Sequence, residues 1–189
     1  MNRVIALLIV LLLCSCAMPA DETQMKEQQN FATPIPTQEV GSEIITEFST
    51  ELLDKESGRL SNIKLACQAV NDMQLNSGDE FSFNDVVGER TEERGYEEAT
   101  ILVGTKKGKG YGGGVCQLSS TIYNAALEAN LEITERHQHQ NAVGYIELGR
   151  DAAVSYGTEN LKFINTLGFP IKIQAQVIED TQVMVKLIK

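Results

Sequence analysis

A run of glycines leads directly into a cysteine near the middle of this chain. Gly113 and Gly114 come just before Val115 and Cys116, and the residues that follow predict an amphipathic helix headed by that cysteine. Glycine lets backbone amides approach a ligand closely, and a helix N-terminus supplies unpaired N–H groups with a partial positive charge. A thiolate is favoured at such a point. The segment therefore predicts a cysteine nucleophile, with the amides around Gly113, Gly114 and Gln117 placed to stabilise an oxyanion.

A thiol nucleophile requires a base, and the chain has two histidines, His137 and His139. They lie in or beside a predicted strand, where positions i and i+2 face the same side, so both imidazoles could face Cys116, although one base suffices. A third group usually orients the imidazole of such a pair. The candidates for that group are Asp151, Asn141 and Glu135.

Other interpretations of these residues remain open at this stage. Cys116 could be a structural thiol, and the glycine run could be only a tight turn. His137 and His139 together with Cys116 and Cys67 could form a zinc site, but the two cysteines lack the paired spacing of such sites. We therefore predict no metal and no cofactor.

Cys67 lies on one face of a predicted helix with Leu60, Ile63 and Val70. An exported protein could pair Cys67 with Cys116 in a disulfide. The apolar helix face instead favours a buried thiol that acts as a small hydrophobic side chain.

The N-terminal residues predict export. A short basic segment is followed by an apolar stretch from Val4 to Leu13, which is too short for a comfortable membrane span and is typical of a signal peptide. Leu13, Ser15 and Cys16 fit a lipoprotein signal, so we predict a signal peptide at 1–16 with lipidation of Cys16. The polar residues 17–39 predict a disordered tether, and residues 40–189 a single folded domain. We expect an extracytoplasmic lipoprotein held to a membrane by its lipid.

The net charge of −10 and the absence of cationic stretches typical of nucleic-acid binding argue against a nucleic-acid partner. Hydrophobic periodicity predicts an α+β fold in which a mostly antiparallel sheet packs against the helix headed by Cys116. The predicted helices cover about 60–73, with Ser61 as a possible cap, and 116–130, with Asn130 as a possible C-cap. A basic, glycine-rich loop is predicted at 105–114. The predicted strands and short β-like pieces lie at 43–50, 81–83, 86–87, 99–103, 132–137, 143–146, 152–156, 161–165, 171–178 and 183–188, the last two forming a hairpin.

The segment from Gly112 to Ala126, GGGVCQLSSTIYNAA, resembles the signature of the VanW-like domain, a bacterial family linked to glycopeptide resistance and the cell envelope. Further segments that share this resemblance lie at 45–50, 78–84, 87–96, 135–139 and 149–154. The resemblance covers about residues 40–178. It places the family cysteine on Cys116 and the family histidine on His139, with His137 at a looser position.

Some VanW-like domains are understood to act as peptidoglycan L,D-transpeptidases, so the resemblance implies a cysteine enzyme that cross-links peptidoglycan stem peptides. The predicted catalytic residues are Cys116, His139, His137 and Asp151. Arg90 and Arg94 could hold a substrate carboxylate, since Arg binds carboxylates bidentately. Ser119 could face the site, although a local helix bond is the alternative. A non-catalytic peptidoglycan-binding module and a thiol peptidase that acts on wall peptides remain the other hypotheses.

Overall fold

The structure, a computed structural model, describes residues 43–189. The predicted signal peptide, the lipidation site Cys16 and the tether lie outside the described residues. A 3₁₀ turn at Glu92–Arg94 accompanies the helices and strands. The helices are α1 (Ser57–Val70), α2 (Phe83–Val87) and α3 (Val115–Glu128). The strands are β1 (Ile44–Glu51), β2 (Met73–Leu75), β3 (Glu80–Ser82), β4 (Glu98–Val103), β5 (Lys106–Tyr111), β6 (Glu132–Glu135), β7 (Lys162–Ile164), β8 (Ile171–Ile178) and β9 (Gln182–Ile188).

The core lies between a four-stranded sheet and two helices. The strands of this sheet are all antiparallel and follow the order β1-β9-β8-β2. Helix α1 packs on β8, α3 packs on β1 and β9, and the two helices contact each other. Val183, Val185 and Leu187 alternate along β9 and are fully buried, because side chains on one face of a strand recur at every second residue. The predicted α+β class and the C-terminal hairpin are thereby confirmed.

Two smaller antiparallel sheets complete the fold. One has the strand order β3-β7-β6, and the other consists of β4 and β5 alone. Lys106–Tyr111 was predicted as a loop because of its glycines, and this prediction is wrong, since each of these residues pairs with one in β4. Gly110 lies opposite Ala99, and the side chain of Ile101 occupies the space that a larger side chain would need.

The other differences from prediction also arise from non-local contacts. Val86 and Val87 belong to α2 instead of a strand, and α1 begins at Ser57, so Ser61 is not its cap. Residues 143–146 form no strand, and within 152–156 only Ala153 and Ser155 form isolated bridges. Such segments carry strand-like sequences but find no neighbouring strand to pair with. Within residues 43–189, no helix has the length and apolarity that crossing a membrane requires.

Helix α3 begins where the backbone passes very close to strand β4. Gly114 precedes the helix with a φ of 104°, a conformation that favours glycine. A Cβ atom on Gly113 would lie 2.6 Å from the carbonyl oxygen of Thr100, so that position also excludes a side chain. The helix ends at Glu128, and Asn130 takes a φ of 56° two residues later. The glycines thus allow the first turn of α3 to pack closely against β4. The helix begins at Val115, one residue earlier than predicted.

Helix α3 buries polar as well as apolar side chains. Its apolar residues Leu118 and Ile122 are fully buried in the core. On another face, Ser119 and Ser120 bond the backbone of Ala152, with the Ser119 hydroxyl 2.6 Å from the Ala152 oxygen and the Ser120 oxygen 2.9 Å from its amide nitrogen. Asn124 donates to the carbonyl oxygen of Arg150 at 2.7 Å. The helix therefore fixes the backbone on both sides of residue 151.

Candidate active site

Cys116 lies in the first turn of α3 and opens onto a pocket of about 420 Å³. As a residue Cys116 is partly exposed, and its sulfur lies 3.5 Å from the carbonyl oxygen of Val154. Helix α3, the β4–β5 hairpin and the segment after β6 form the walls. The lining residues are Arg59, Glu89, Arg90, Thr100, Ile101, Leu102, Tyr111, Gly112, Gly113, Gly114, Val115, Cys116, Gln117, His139, Val143, Tyr145, Ala153, Val154, Ser155, Tyr156 and Glu159.

His139 reaches this pocket because an isolated antiparallel bridge joins residue 137 to residue 153. In an antiparallel pair, moving two residues forward from 137 and two residues back from 153 places His139 opposite Asp151. The Nδ1 atom of His139 lies 2.6 Å from Oδ2 of Asp151, and the backbone N–H of His139 donates to the same oxygen at 2.7 Å. This contact leaves Nε2 of the imidazole free to exchange a proton with the thiol.

Asp151 is itself held on several sides. Its carboxylate is 5% exposed and accepts a hydrogen bond from Arg136 at 3.0 Å through Oδ1. Arg136 also donates to the backbone oxygen of Asp151 at 2.6 Å. Since α3 fixes the neighbouring residues, the carboxylate has little freedom to turn away from His139.

The protonation equilibria of the three groups are mutually dependent. Burial alone would raise the pKa of the Cys116 thiol, but a hydrogen bond with His139 and the charge of the imidazolium outweigh it and lower the pKa. Burial opposes the imidazolium as well, yet its contacts with Cys116 and then Asp151 raise the pKa of His139. The pKa of Asp151 falls despite burial, because it accepts hydrogen bonds from His139 and lies near Arg136. The arrangement therefore favours a thiolate–imidazolium pair.

This charge state predicts a measurable pH dependence. The iodoacetamide reaction rate of Cys116 should stay high down to a pH below the ordinary range of a thiol, and fall as the pH drops through the lowered pKa. In a His139→Ala variant the midpoint should move upward, because only the effect of burial and weaker contacts would remain. Peptide mass spectrometry at a series of pH values measures both rates.

Cys67 provides the control within the same molecule. It lies in the core at 3% exposure, as predicted, and burial raises the pKa of its thiol to about 12. Both cysteines are free, so the disulfide alternative does not apply to the described residues. Equal rates for the two cysteines in the folded protein would contradict an activated Cys116.

Several backbone amides beside the thiol have no hydrogen-bond acceptor. Within residues 43–189, the N–H groups of Gly113, Gly114 and Cys116 make no backbone or side-chain hydrogen bond. The amide of Gln117 donates to the Gly114 oxygen at 2.9 Å, so it does not serve as the predicted oxyanion donor. The unpaired amides at the pocket wall are the donors that an oxyanion would use.

Of the two histidines, only His139 lines the pocket of Cys116. Strand β6 ends at Glu135, so the alternation of a strand does not extend to residue 139. His137 lies outside the pocket, and its Nε2 atom pairs with Glu135 at 2.9 Å. Of the three candidates for the orienting group, Glu135 therefore holds the other histidine, and Asn141 donates to the oxygen of Thr105.

Of the other predicted site residues, some line the pocket and others have side chains engaged elsewhere. Arg90 lines the pocket, whereas Arg94 does not and donates to the oxygen of Val87 at 2.8 Å. Ser119 is fully buried, and its hydroxyl bonds backbone oxygens instead of facing the site. The side chain of Gln117 is occupied as well, because it accepts from Arg59 at 2.7 Å and donates to the Glu51 oxygen at 2.8 Å.

Arg59 and Tyr145 are pocket residues that the sequence did not indicate. Arg59 belongs to α1, far from Cys116 along the chain, and reaches the pocket because Gly114 packs against its Cγ atom. No local pattern signals such a contact. Within the described residues there is also no cluster of three or more His, Cys, Asp and Glu side chains that could hold a metal ion, so the zinc alternative has no support there.

Comparisons with known proteins agree with the resemblance seen in the sequence. The chain is 39% identical over 145 residues to the uncharacterized protein YoaR of Bacillus subtilis strain 168, covering 72% of this chain and 48% of YoaR. It is 27% identical over 84 residues to the vancomycin B-type resistance protein VanW of Enterococcus faecalis, covering 44% of this chain and 30% of that protein. The chain thus spans about half or less of these curated relatives.

A family model described as VanW like protein matches residues 58–188, which include Cys116, His139 and Asp151. No solved structure matches this chain significantly. Because the family match covers most of the sequence, the chain belongs to the VanW-like protein family.

Proposed function

We propose that this protein is a cysteine acyltransferase that acts on peptidoglycan stem peptides, in a reaction of the L,D-transpeptidase type. The observation that carries the proposal is the placement of Cys116 and His139 in one open pocket beside unpaired backbone amides, with Asp151 hydrogen-bonded to Nδ1 of His139. A nucleophile, a base and an orienting carboxylate in this order are the components of covalent acyl transfer.

In the first half of the proposed reaction, the Cys116 thiolate attacks a carbonyl carbon of the stem peptide. The tetrahedral oxyanion accepts hydrogen bonds from the free amides at Gly113, Gly114 and Cys116. The carbon–nitrogen bond to the terminal amino acid then breaks, and its nitrogen takes the proton of the His139 imidazolium. A thioester on Cys116 and a free amino acid result.

In the second half, an amine of a neighbouring stem attacks the thioester. His139 accepts the proton of that amine, the carbon–sulfur bond breaks, and the thiolate returns. Asp151 keeps Nδ1 of the imidazole protonated throughout, so that Nε2 faces the reacting atoms. Water in place of the amine would make the same site a peptidase.

The choice of substrate rests on the family resemblance and on sequence, whereas the chemistry rests on the pocket. One relative is named as a vancomycin B-type resistance protein, which supports a role in the cell envelope. The predicted lipid on Cys16 would hold the domain on the outer side of the membrane, within reach of the wall.

A Cys16→Ser variant tests the predicted anchor. We expect the variant protein to be lost from the membrane fraction.

The test incubates the purified protein with tetrapeptide muropeptides and follows the masses of protein and products. Acyl transfer predicts an increase in protein mass equal to the acyl group, release of the terminal amino acid, and a cross-linked dimer. Release without a dimer would indicate hydrolysis instead. If neither an adduct nor a released amino acid appears, the enzymatic proposal is wrong, and a binding module is the better description.

A further inference from the structure

The pocket contains two arginines without an anionic partner. Arg59 and Arg90 both line it, and no ion pair within residues 43–189 involves either of them. Each is held instead by neutral acceptors. Arg59 donates to the amide oxygen of Gln117 at 2.7 Å, and Arg90 donates to Asn84 and to the Gly88 oxygen at 2.8 and 2.9 Å. Two positive charges therefore face this pocket in a protein whose net charge is −10.

Unsatisfied donor atoms occur at the same place. Among the described residues, three buried side-chain polar atoms lack a hydrogen-bond partner, and all three belong to pocket residues. They are Nε of Arg59, an Nη atom of Arg90 and the hydroxyl of Tyr145. Buried polar groups are nearly always paired in folded proteins, because leaving one unpaired costs free energy. Three unpaired donors on residues of one pocket point to a ligand that supplies acceptors.

Two of these groups, Arg90 and Tyr145, lie near the reacting sulfur. Burial lowers the pKa of the Arg90 guanidinium, and the Cys116 thiolate is the strongest neighbour that opposes this fall. Burial likewise raises the pKa of Tyr145, which keeps its hydroxyl protonated; the charge of Cys116 raises this pKa further, whereas the nearby Ser120 hydroxyl and the charge of Arg59 oppose the rise. Two carboxylates, Glu89 and Glu159, also line the pocket, but neither forms an ion pair with an arginine.

We propose that Arg59, Arg90 and Tyr145 form a carboxylate-binding subsite beside Cys116, which selects acyl donors that carry a free carboxylate close to the scissile bond. Planar guanidinium groups match a carboxylate geometrically, and such charge-assisted bonds are strong. The carboxylate could be the chain-terminal group of the leaving amino acid or a side-chain group of the acyl residue. The assignment of this subsite to acyl donors rests on the proposed acyl transfer, but its test measures alkylation of Cys116 and does not require catalytic turnover.

The test compares alkylation of Cys116 by iodoacetate, which carries a carboxylate, with alkylation by neutral iodoacetamide. Imidazolium at His139 also attracts iodoacetate, so the variants decide the result. In Arg59→Gln and Arg90→Gln the ratio of the two rates should fall by about tenfold or more, since hydrogen bonds to charged groups have that strength. Lys64→Gln is the matched control, because Lys64 pairs with Asp180 outside the pocket, and the ratio should not change.

The iodoacetamide rate also reports whether each variant is folded. A ratio that stays within about twofold of the wild-type ratio in both arginine variants would overturn the subsite, while the proposed acyl transfer would remain open to the muropeptide test. If a variant fails to fold, a second measurement uses the wild-type protein alone.

That measurement asks which compounds protect Cys116 from iodoacetamide. N-acetyl-D-alanine carries a terminal carboxylate, the α-amide of N-acetylaspartate carries only a side-chain carboxylate, and N-acetyl-D-alaninamide carries none. At least one acid should protect at a concentration about tenfold lower than the neutral amide, and the better acid identifies the position of the carboxylate. Equal protection by all three, or none, would contradict the subsite.

Discussion

A Cys116→Ala variant is expected to form no acyl adduct and to lose at least about 10⁴-fold of the activity on tetrapeptide stems, because removing a nucleophile abolishes the covalent route. The fold should survive, since Cys116 is only partly buried as a residue and a thiol makes a weak hydrogen bond to the Val154 oxygen, at 3.5 Å. Intact-protein mass spectrometry and product analysis measure the effect, and thermal unfolding checks the fold.

Cys67→Ala is the matched control for this loss. Cys67 is buried in α1 at 3% exposure and does not line the pocket, so its removal should cost about 1 kcal/mol of stability and leave the reaction rate nearly unchanged. Product formation by a folded Cys116→Ala protein would exclude the thiol mechanism.

An Asp151→Asn variant should lower kcat by about 10³- to 10⁴-fold, although the new side chain has nearly the same shape. Oδ2 of Asp151 accepts from both Nδ1 and the backbone N–H of His139, at 2.6 and 2.7 Å. An amide in its place lacks the charge that stabilises the imidazolium, and its NH₂ group can favour the opposite tautomer, with a proton on Nε2. The thiol would then face a donor instead of a base.

A second measurement separates this role from a merely structural one. The midpoint of the Cys116 alkylation profile should move to higher pH in Asp151→Asn, because a weaker imidazolium stabilises the thiolate less. Asp180→Asn is the control, since Asp180 lies in an exposed turn with a φ of 53° that asparagine accepts readily. An unchanged profile together with near wild-type kcat in a folded Asp151→Asn protein would show that Asp151 does not position the base.

The sequence predicted the element that carries the nucleophile better than the groups around it. Glycine conformation and helix periodicity are local properties, and they placed Cys116 within one residue of its position in α3. The choice of Asp151 over Asn141 depends on a bridge between residues 137 and 153, which is a tertiary contact with no local pattern. For the same reason the sequence left open which histidine reaches the thiol, since both follow the end of β6 at Glu135 and strand alternation does not place either of them.

The pocket walls were even less accessible from sequence. Lysines and glycines predicted a loop at 105–114, but pairing with β4 makes most of it a strand. Arg59 lies just before the helix predicted at 60–73 and no pattern marked it as a site residue, whereas Ser119 was a possible site hydroxyl. Their roles depend on which surfaces approach them, namely Gly114 for Arg59 and Ala152 for Ser119.

The hydrogen bonds between α3 and residues 150–152 couple the stability of this protein to its reactivity. The side chains of Ser119, Ser120 and Asn124 hold the segment that carries Asp151, and the same helix carries the Cys116 sulfur and packs in the core. Melting the helix would dissolve the reactive centre, and detaching the segment would expose buried polar groups of the helix. Heat inactivation should therefore coincide with global unfolding, without a folded but inert form at intermediate temperatures.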